Sequence, residues 1–205
     1  ESDLKFLKKS FKNTENIVLF PNWVDSLRYK DFKNRHSNKV LSVGRLEDQK
    51  NYQFLIKKLA NSNIELDIVG EGSKKEELKK LAKENLVKIN FLGRMNYFEL
   101  QEIYKNYRIF ILPSLFEGNP KALLEALASG CLVMALNNKN ITEIIVHEEN
   151  GIVFYPDTNL SKELENFLSS EDSFNKLTAA GYDYIKKNNL IDLLISKEIK
   201  IYQTL

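Results

Sequence analysis

Residues 39–70 read KVLSVGRLEDQKNYQFLIKKLANSNIELDIVG, and this stretch decides the fold class. Residues 39–43 form a short apolar run closed by Gly44, and 65–69 a second run closed by Gly70. Residues 52–60, between them, have the spacing of an amphipathic helix. The alternation then repeats to the end of the chain. A helix is predicted at 73–83 with Ser73 as its N-cap, a strand at 87–92 closed by Gly93, a helix at 97–106 and a strand at 109–113. A helix at 121–129, a strand at 132–135, a short helix at 141–147 and a short strand at 151–154 follow, then helices at 160–169, 173–187 and 192–202. Short apolar strands alternating with helices imply an α/β fold, a Rossmann-like parallel sheet with helices on both faces, plus C-terminal helices. Ligands of such sheets sit beyond the carboxyl ends of the strands, where several runs here end in glycine.

Upstream, residues 4–11 resemble the end of an amphipathic helix and 17–20 a strand, followed by the turn-rich Pro21-Asn22-Trp23-Val24-Asp25. Residues 26–38 are polar, charged and without periodicity, so 1–38 is expected to be a joining segment and linker, and 39–205 the main domain. The chain opens at Glu1 and reads from its first residues as the interior of something longer. The whole carries 43% hydrophobic and 28% charged residues with a net charge of +2, a balance that gives no argument for nucleic acid. Runs such as Lys74-Lys75-Glu76-Glu77 read as solvated helix faces. One cysteine, Cys131, excludes an intrachain disulfide and a cysteine zinc site, and no apolar run reaches the roughly 20 residues of a membrane span.

Three segments carry possible chemistry, each at a predicted strand end. In Ser114-Leu115-Phe116-Glu117-Gly118-Asn119-Pro120-Lys121-Ala122-Leu123-Leu124-Glu125-Ala126, a helix begins near Pro120. Its first-turn N–H groups can hold an anion, and Gly118 permits close approach to the backbone. Glu117 and Glu125 bracket this helix start, and a carboxylate among Ala and Leu calls for a partner such as a sugar hydroxyl. The plainer alternative makes Glu117 a helix cap and Glu125 a surface residue. In Ser42-Val43-Gly44-Arg45-Leu46-Glu47-Asp48-Gln49-Lys50-Asn51, Arg45 and Lys50 can clamp a diphosphate, unless the run is only a solvated loop. Phe91-Leu92-Gly93-Arg94-Met95 offers backbone groups to a base. Neither a P-loop nor a complete G-x-G-x-x-G is present.

Taken in order, these segments resemble the retaining GT-B glycosyltransferases of family 4, over roughly residues 18–154. The resemblance includes Phe20-Pro21-Asn22-Trp23-Val24-Asp25, which is similar to the family's interdomain segment, Gly44-Arg45-Leu46 with Lys50 downstream, and the Glu-x7-Glu pair Glu117 and Glu125. It implies that Arg45 and Lys50 bind the donor diphosphate, with Gly44 beside them, and that Arg94 and the Met95 backbone face the base. It further implies that Glu117 holds the transferred sugar, Glu125 the ribose, Gly118 and Asn119 the sugar, and Lys121 and Ala122, after Pro120, the phosphates. No metal is expected, since the diphosphate would be stabilised by the helix N-terminus and two cations. The donor is expected to be a UDP-sugar rather than a GDP-sugar, the acceptor a glycan or lipid-linked glycan in surface polysaccharide synthesis, and the location cytoplasmic, at the inner face of the membrane. Departures from the pattern are Gly118-Asn119-Pro120-Lys121 after the first glutamate, Gly130-Cys131-Leu132-Val133 after the helix, and Asn137-Asn138-Lys139-Asn140, which alters the loop near Glu143. The acceptor-binding N-terminal domain of the family has no counterpart here, and His36 and His147 do not fit a catalytic base. The fragment alone is therefore expected to bind donor and transfer little. Two other readings stay open: a non-catalytic nucleotide-sugar-binding module, and a GT-B epimerase or synthase.

Overall fold

The computed structural model describes residues 9–10, 18, 20–25 and 35–204. Six strands form one parallel sheet: β1 (His36–Val43), β2 (Glu65–Val69), β3 (Ile89–Gly93), β4 (Tyr107–Leu112), β5 (Leu132–Leu136) and β6 (Ile152–Phe154). Their spatial order is β3-β2-β1-β4-β5-β6, the doubly wound arrangement. Parallel neighbours need crossovers, and helices supply them. These are α1 (Tyr52–Lys58), α2 (Lys75–Glu84), α3 (Tyr97–Tyr104), α4 (Lys121–Ala128) and the one-turn α5 (Lys139–Thr142); α6 (Leu160–Ser169), α7 (Asp172–Asn188) and α8 (Ile191–Thr204) close the chain.

Successive strand residues point to opposite faces, and the core divides accordingly. Val40, Ile111 and Met134 pack with α1, α2 and α6, whereas Leu41, Phe110 and Val133 pack with α3 and α4. Helix α7 serves both sides, with Phe174 and Leu177 in the first cluster and Ile185 in the second. Every residue of β5 is buried, which explains why its sequence is apolar throughout instead of alternating. Its Leu, Val and Met side chains each contribute about 1.5–3 kcal/mol through burial.

The predicted α/β class and its strand series match this architecture, with four local corrections. Strand β1 starts at His36, three residues before the predicted start, because the His36 N–H donates to Asn106 O at 2.8 Å and its ring packs edge-on against Tyr107. The polar look of 36–38 had hidden it. Just before it, Arg35 is buried and donates to the carbonyls of Tyr107, Ser129 and Gly130, which places a cation at the carboxyl end of α4. Ser73 does not cap α2; its hydroxyl and N–H both donate to Glu47, and the helix starts two residues later. The helix predicted at 141–147 is instead the single turn Lys139–Thr142, begun by the Asn138 side chain. The Asn150 amide takes the Val146 N–H and the Ile144 carbonyl, so those groups leave the helical ladder. Helix α1 also ends at Lys58, before the predicted 60. The strand predicted at 17–20, most of the helix at 4–11 and the linker at 26–34 lie outside the described residues.

Candidate functional site

The strand order reverses between β1 and β4, so a crevice opens beyond their carboxyl ends. The loops that follow these two strands are tied together across it. The Leu115 N–H donates to Gln49 O at 3.0 Å, the Gln49 side chain to Phe116 O at 2.9 Å, and the Asn51 side chain to Pro113 O at 3.2 Å. Asn51 itself adopts a left-handed φ of 55°, which asparagine tolerates, and so turns the chain from a 3₁₀ turn into α1.

The centre of the crevice is an ion pair. Lys50 Nζ lies 2.5 Å from Glu117 Oε1, with side-chain exposures of 16% and 8%. Among the described residues the second carboxylate oxygen, Oε2, has no hydrogen-bond partner. A Cβ at Gly44 would lie 2.9 Å from Lys50 Cε and 3.1 Å from the Tyr52 hydroxyl, so a side chain there would push the lysine aside. The lysine stem crosses the space that a side chain would fill. From the other side, the Asn140 amide donates to Glu117 O and to Gly118 O, the latter at 3.1 Å, and the Asn138 amide donates to Ser114 O at 3.1 Å. Glu117 is thus held through its backbone by β5–β6 loop residues and through its side chain by the β1–α1 loop.

Helix α4 starts at the same place. Its N-cap residue, Pro120, brings neither an N–H nor a side-chain cap. The Lys121 N–H bends back to Asn119 O, while the Ala122 N–H has no partner among the described residues. The helix dipole and this free donor favour an anion. The Lys121 ammonium sits 4.4 Å from the centre of the Trp23 ring and does not cross the helix start. Asn22 supports the arrangement with a 3.4 Å bond to Asn119 O. Exposed Gly118 has nothing within 4 Å of a Cβ position, so its surroundings are open.

One stretch of the crevice is lined by Gly44, Arg45, Lys50, Glu117, Asn119, Pro120, Lys121 and Ala122, and has a volume of about 340 Å³. A second, of about 480 Å³, shares Val43, Gly44 and Arg45 and extends to Glu71, Arg94 and Met95. Both volumes lie in the range of small-molecule sites. Arg45 and Arg94 are exposed, and Met95 is half-buried. Glu125 stands apart from both. It is half-buried, accepts a 3.3 Å bond from the Tyr104 hydroxyl, and opens on a small pocket with Asp25, Gln101 and Lys121. Burial raises its pKa above the usual carboxylate range; Lys121 and Tyr104 oppose the rise and Asp25 adds to it. Glu143 ends the short α5, exposed and away from this lining.

The sequence thus marked the two cations, the first glutamate and the helix start, which the fold brings together. It did not mark Gln49, Asn138, Asn140 or Tyr104, whose amides and hydroxyl place the marked groups. The asparagine run at 137–140 was the available signal. Among the described residues no three His, Cys, Asp or Glu side chains gather as a metal site, and no helix is long and apolar enough to cross a membrane.

Residues 24–184 match the glycosyl transferases group 1 family. A Campylobacter jejuni protein, the α-1,4-N-acetyl-D-galactosaminyltransferase that acts on GalNAc-α-(1→4)-GalNAc-α-(1→3)-diNAcBac-PP-undecaprenol, is 26% identical over 180 residues, 83% of this chain and 49% of that protein. The crystal structure of the C-terminal domain of a glycosyl transferase group 1 protein (LpcC) from Francisella tularensis matches with a TM-score of 0.67 at 25% identity, over 85% of this chain and 97% of that one. HepE of Anabaena, solved with UDP and glucose, matches with a TM-score of 0.85 at 15% identity, over 100% of this chain and 61% of that one. The chain spans between 29% and 49% of the length of the first curated relatives it matches.

Proposed function

The chain belongs to the glycosyl transferases group 1 family, and we propose that it is the donor-binding half of a retaining family 4 enzyme. The donor is a UDP-linked hexose or N-acetylhexosamine, and the acceptor is a glycan or lipid-linked glycan. The observation that carries the reading is the Lys50–Glu117 pair, set at the switch point of the sheet against the uncapped start of α4.

In this reading Arg45, Lys50 and the Ala122 N–H hold the diphosphate. As the bond from the sugar to the diphosphate breaks, its electrons pass to the diphosphate, and these groups stabilise the charge without a metal. Lys50 moves its ammonium from Glu117 to the phosphate, and sugar hydroxyls then occupy the carboxylate. Gly118 and Asn119 present backbone to the same sugar. Arg94 and the Met95 backbone receive the base, and Glu125 takes the ribose hydroxyls from the pocket it shares with Lys121, which also lines the diphosphate stretch. The wide stretch beside Arg94 accommodates a base, and the C. jejuni relative and the UDP complex of HepE support an N-acetylhexosamine and UDP respectively. Arg35 is built into the domain, and in this reading the acceptor is held by a separate half of the whole enzyme. The location is the cytoplasmic face of the membrane.

Calorimetric titration with UDP, GDP and their sugars tests the assignment. UDP and UDP-sugar are expected to bind, and Arg45→Ala and Glu125→Ala are each expected to weaken binding by ten-fold or so, the loss of about 1.4 kcal/mol. Silence toward every nucleotide, or affinity indifferent to both substitutions, removes the donor site.

A further inference from the structure

Helix α3 borders both the wide stretch of the crevice and the small pocket at Glu125. Its Leu100 lines the stretch beside Arg94 and Met95, while its Tyr97, Gln101 and Tyr104 line the small pocket with Asp25, Lys121 and Glu125. Lys121 in turn lines the stretch at the start of α4. The small pocket therefore adjoins the base stretch along α3 and the diphosphate stretch across Lys121. That is the place of the ribose in a nucleoside diphosphate.

Two acceptors meet at this pocket with bonds still to make. Tyr104 donates to Glu125 Oε2, and Glu125 Oε1 accepts no hydrogen bond among the described residues. Gln101 lies three residues before Tyr104, on the same face of α3. Asp25 fixes the direction of its amide: a carboxylate only accepts, so it faces the NH2 end, with Nε2 3.3 Å from Oδ1. The other end, Oε1, is buried and meets no donor among the described residues, and Gln101 as a whole is 6% exposed. Buried acceptors are ordinarily paired, and one left unmet carries a cost that a ligand hydroxyl can remove. The pocket has a volume of about 20 Å³, room for one oxygen of water or hydroxyl size.

We infer that Gln101 reads the ribose: one hydroxyl of the vicinal pair enters the small pocket and donates to Gln101 Oε1, while the other donates to Glu125. The inference rests on the donor reading and deepens it. Each hydroxyl carries one hydrogen, and Tyr104 already engages one oxygen of the carboxylate, so a second acceptor completes the site. The two acceptors belong to different helices, Gln101 to α3 and Glu125 to α4, and the ribose lies between them. Each hydroxyl is then required separately, because an analogue that lacks it leaves its acceptor buried and unpaired. The ligand class is a ribonucleotide with both hydroxyls free.

Calorimetric titration of the 205-residue chain with UDP, 2′-deoxy-UDP and 3′-deoxy-UDP tests it. The wild type is expected to bind UDP about ten-fold more tightly than either deoxy compound, or better. Gln101→Met keeps the length of the side chain and removes the acceptor. It is expected to lower UDP affinity by about ten-fold, and to bind UDP and one deoxy compound equally while still rejecting the other. Glu125→Ala gives the reciprocal pattern. A wild type that accepts either deoxy compound as well as UDP overturns the inference. So does a Gln101→Met protein that binds UDP normally, or one that loses the same factor for all three nucleotides, the mark of a structural role or of an ordered water. If Gln101→Met unfolds, Glu125→Ala decides: selectivity for one remaining hydroxyl supports the inference, and loss of selectivity for both overturns it. Binding of no nucleotide by the wild type removes the donor reading and this inference together, whereas UDP binding indifferent to Gln101 removes the inference alone.

Discussion

At the residue scale the two glutamates eight apart prove unlike each other. Glu117 meets a cation 2.5 Å away, and such a pair is weak ground for stability, since stripping water from both charges offsets most of their attraction. Its position at a strand end with one free carboxylate oxygen gives it a different purpose, the reception of a ligand. Glu125 has only a tyrosine hydroxyl and a more distant lysine, and burial holds its pKa above 4.5. The sign of the linked stability follows. A carboxyl whose folded pKa is raised stabilises the fold below its unfolded pKa, and the contribution disappears as pH rises through the folded value. Glu125→Gln, which cannot ionise, is therefore expected to melt higher than the wild type at neutral pH. The advantage shrinks as the pH is lowered through 4.5, where wild-type Glu125 is also neutral. Melting curves of both proteins across pH 3–8 check this, and an advantage that grows toward acid contradicts it.

At the element scale, the strands and the helices that cross between them were legible because burial on both faces leaves strands such as β5 no room for polar residues. The start of α4 was legible from Pro120 and the apolar run after it. The loops were not, because their order depends on amides that act over distance: Asn51 on Pro113, Asn138 on Ser114 and Asn140 on Glu117, the last 23 residues away. No local periodicity encodes such bonds, and an asparagine run is equally what a solvated loop contains. The same amides misled the reading of the helix after β5, where Asn138 and Asn150 take over backbone bonds. Asn140→Ala removes two bonds from the Glu117–Gly118 backbone, a cost of about 1–2 kcal/mol in stability. Because that backbone faces the sugar in the proposed complex, affinity for UDP-sugar is expected to fall several-fold further than affinity for UDP. Parallel titrations measure the difference, and equal losses would show that Asn140 does not position the sugar subsite.

At the scale of the whole molecule, the segment before the domain is fastened to its far end. The Val24 N–H donates to Asn189 O, the Ile191 N–H to Val24 O, and the Asn189 amide to Asn22 O across 167 residues. No sequence pattern signals this closure, since a short loop segment and a helix junction carry no periodicity in common. Its consequence is that Trp23 rests against Lys121 at the start of α4, where the proposed diphosphate sits. Trp23 is the only tryptophan in the chain, so emission excited selectively at the indole, beyond tyrosine absorption, reports on the surroundings of Trp23. A diphosphate at the helix start attracts the Lys121 ammonium from a ring that holds it by a cation–π contact of about 0.5–1 kcal/mol. Charge-assisted bonds to phosphate are stronger, so the lysine transfers. Saturating UDP-sugar is expected to change Trp23 emission. Lys121→Met should alter the unliganded spectrum and remove most of the response to ligand. Asn189→Ala should shift emission to the red in the free protein, by releasing the segment and exposing a ring that is now 39% exposed. Calorimetrically proven binding with no change in emission would mean that Lys121 stays on Trp23, leaving the phosphates to Arg45, Lys50 and the helix N–H groups.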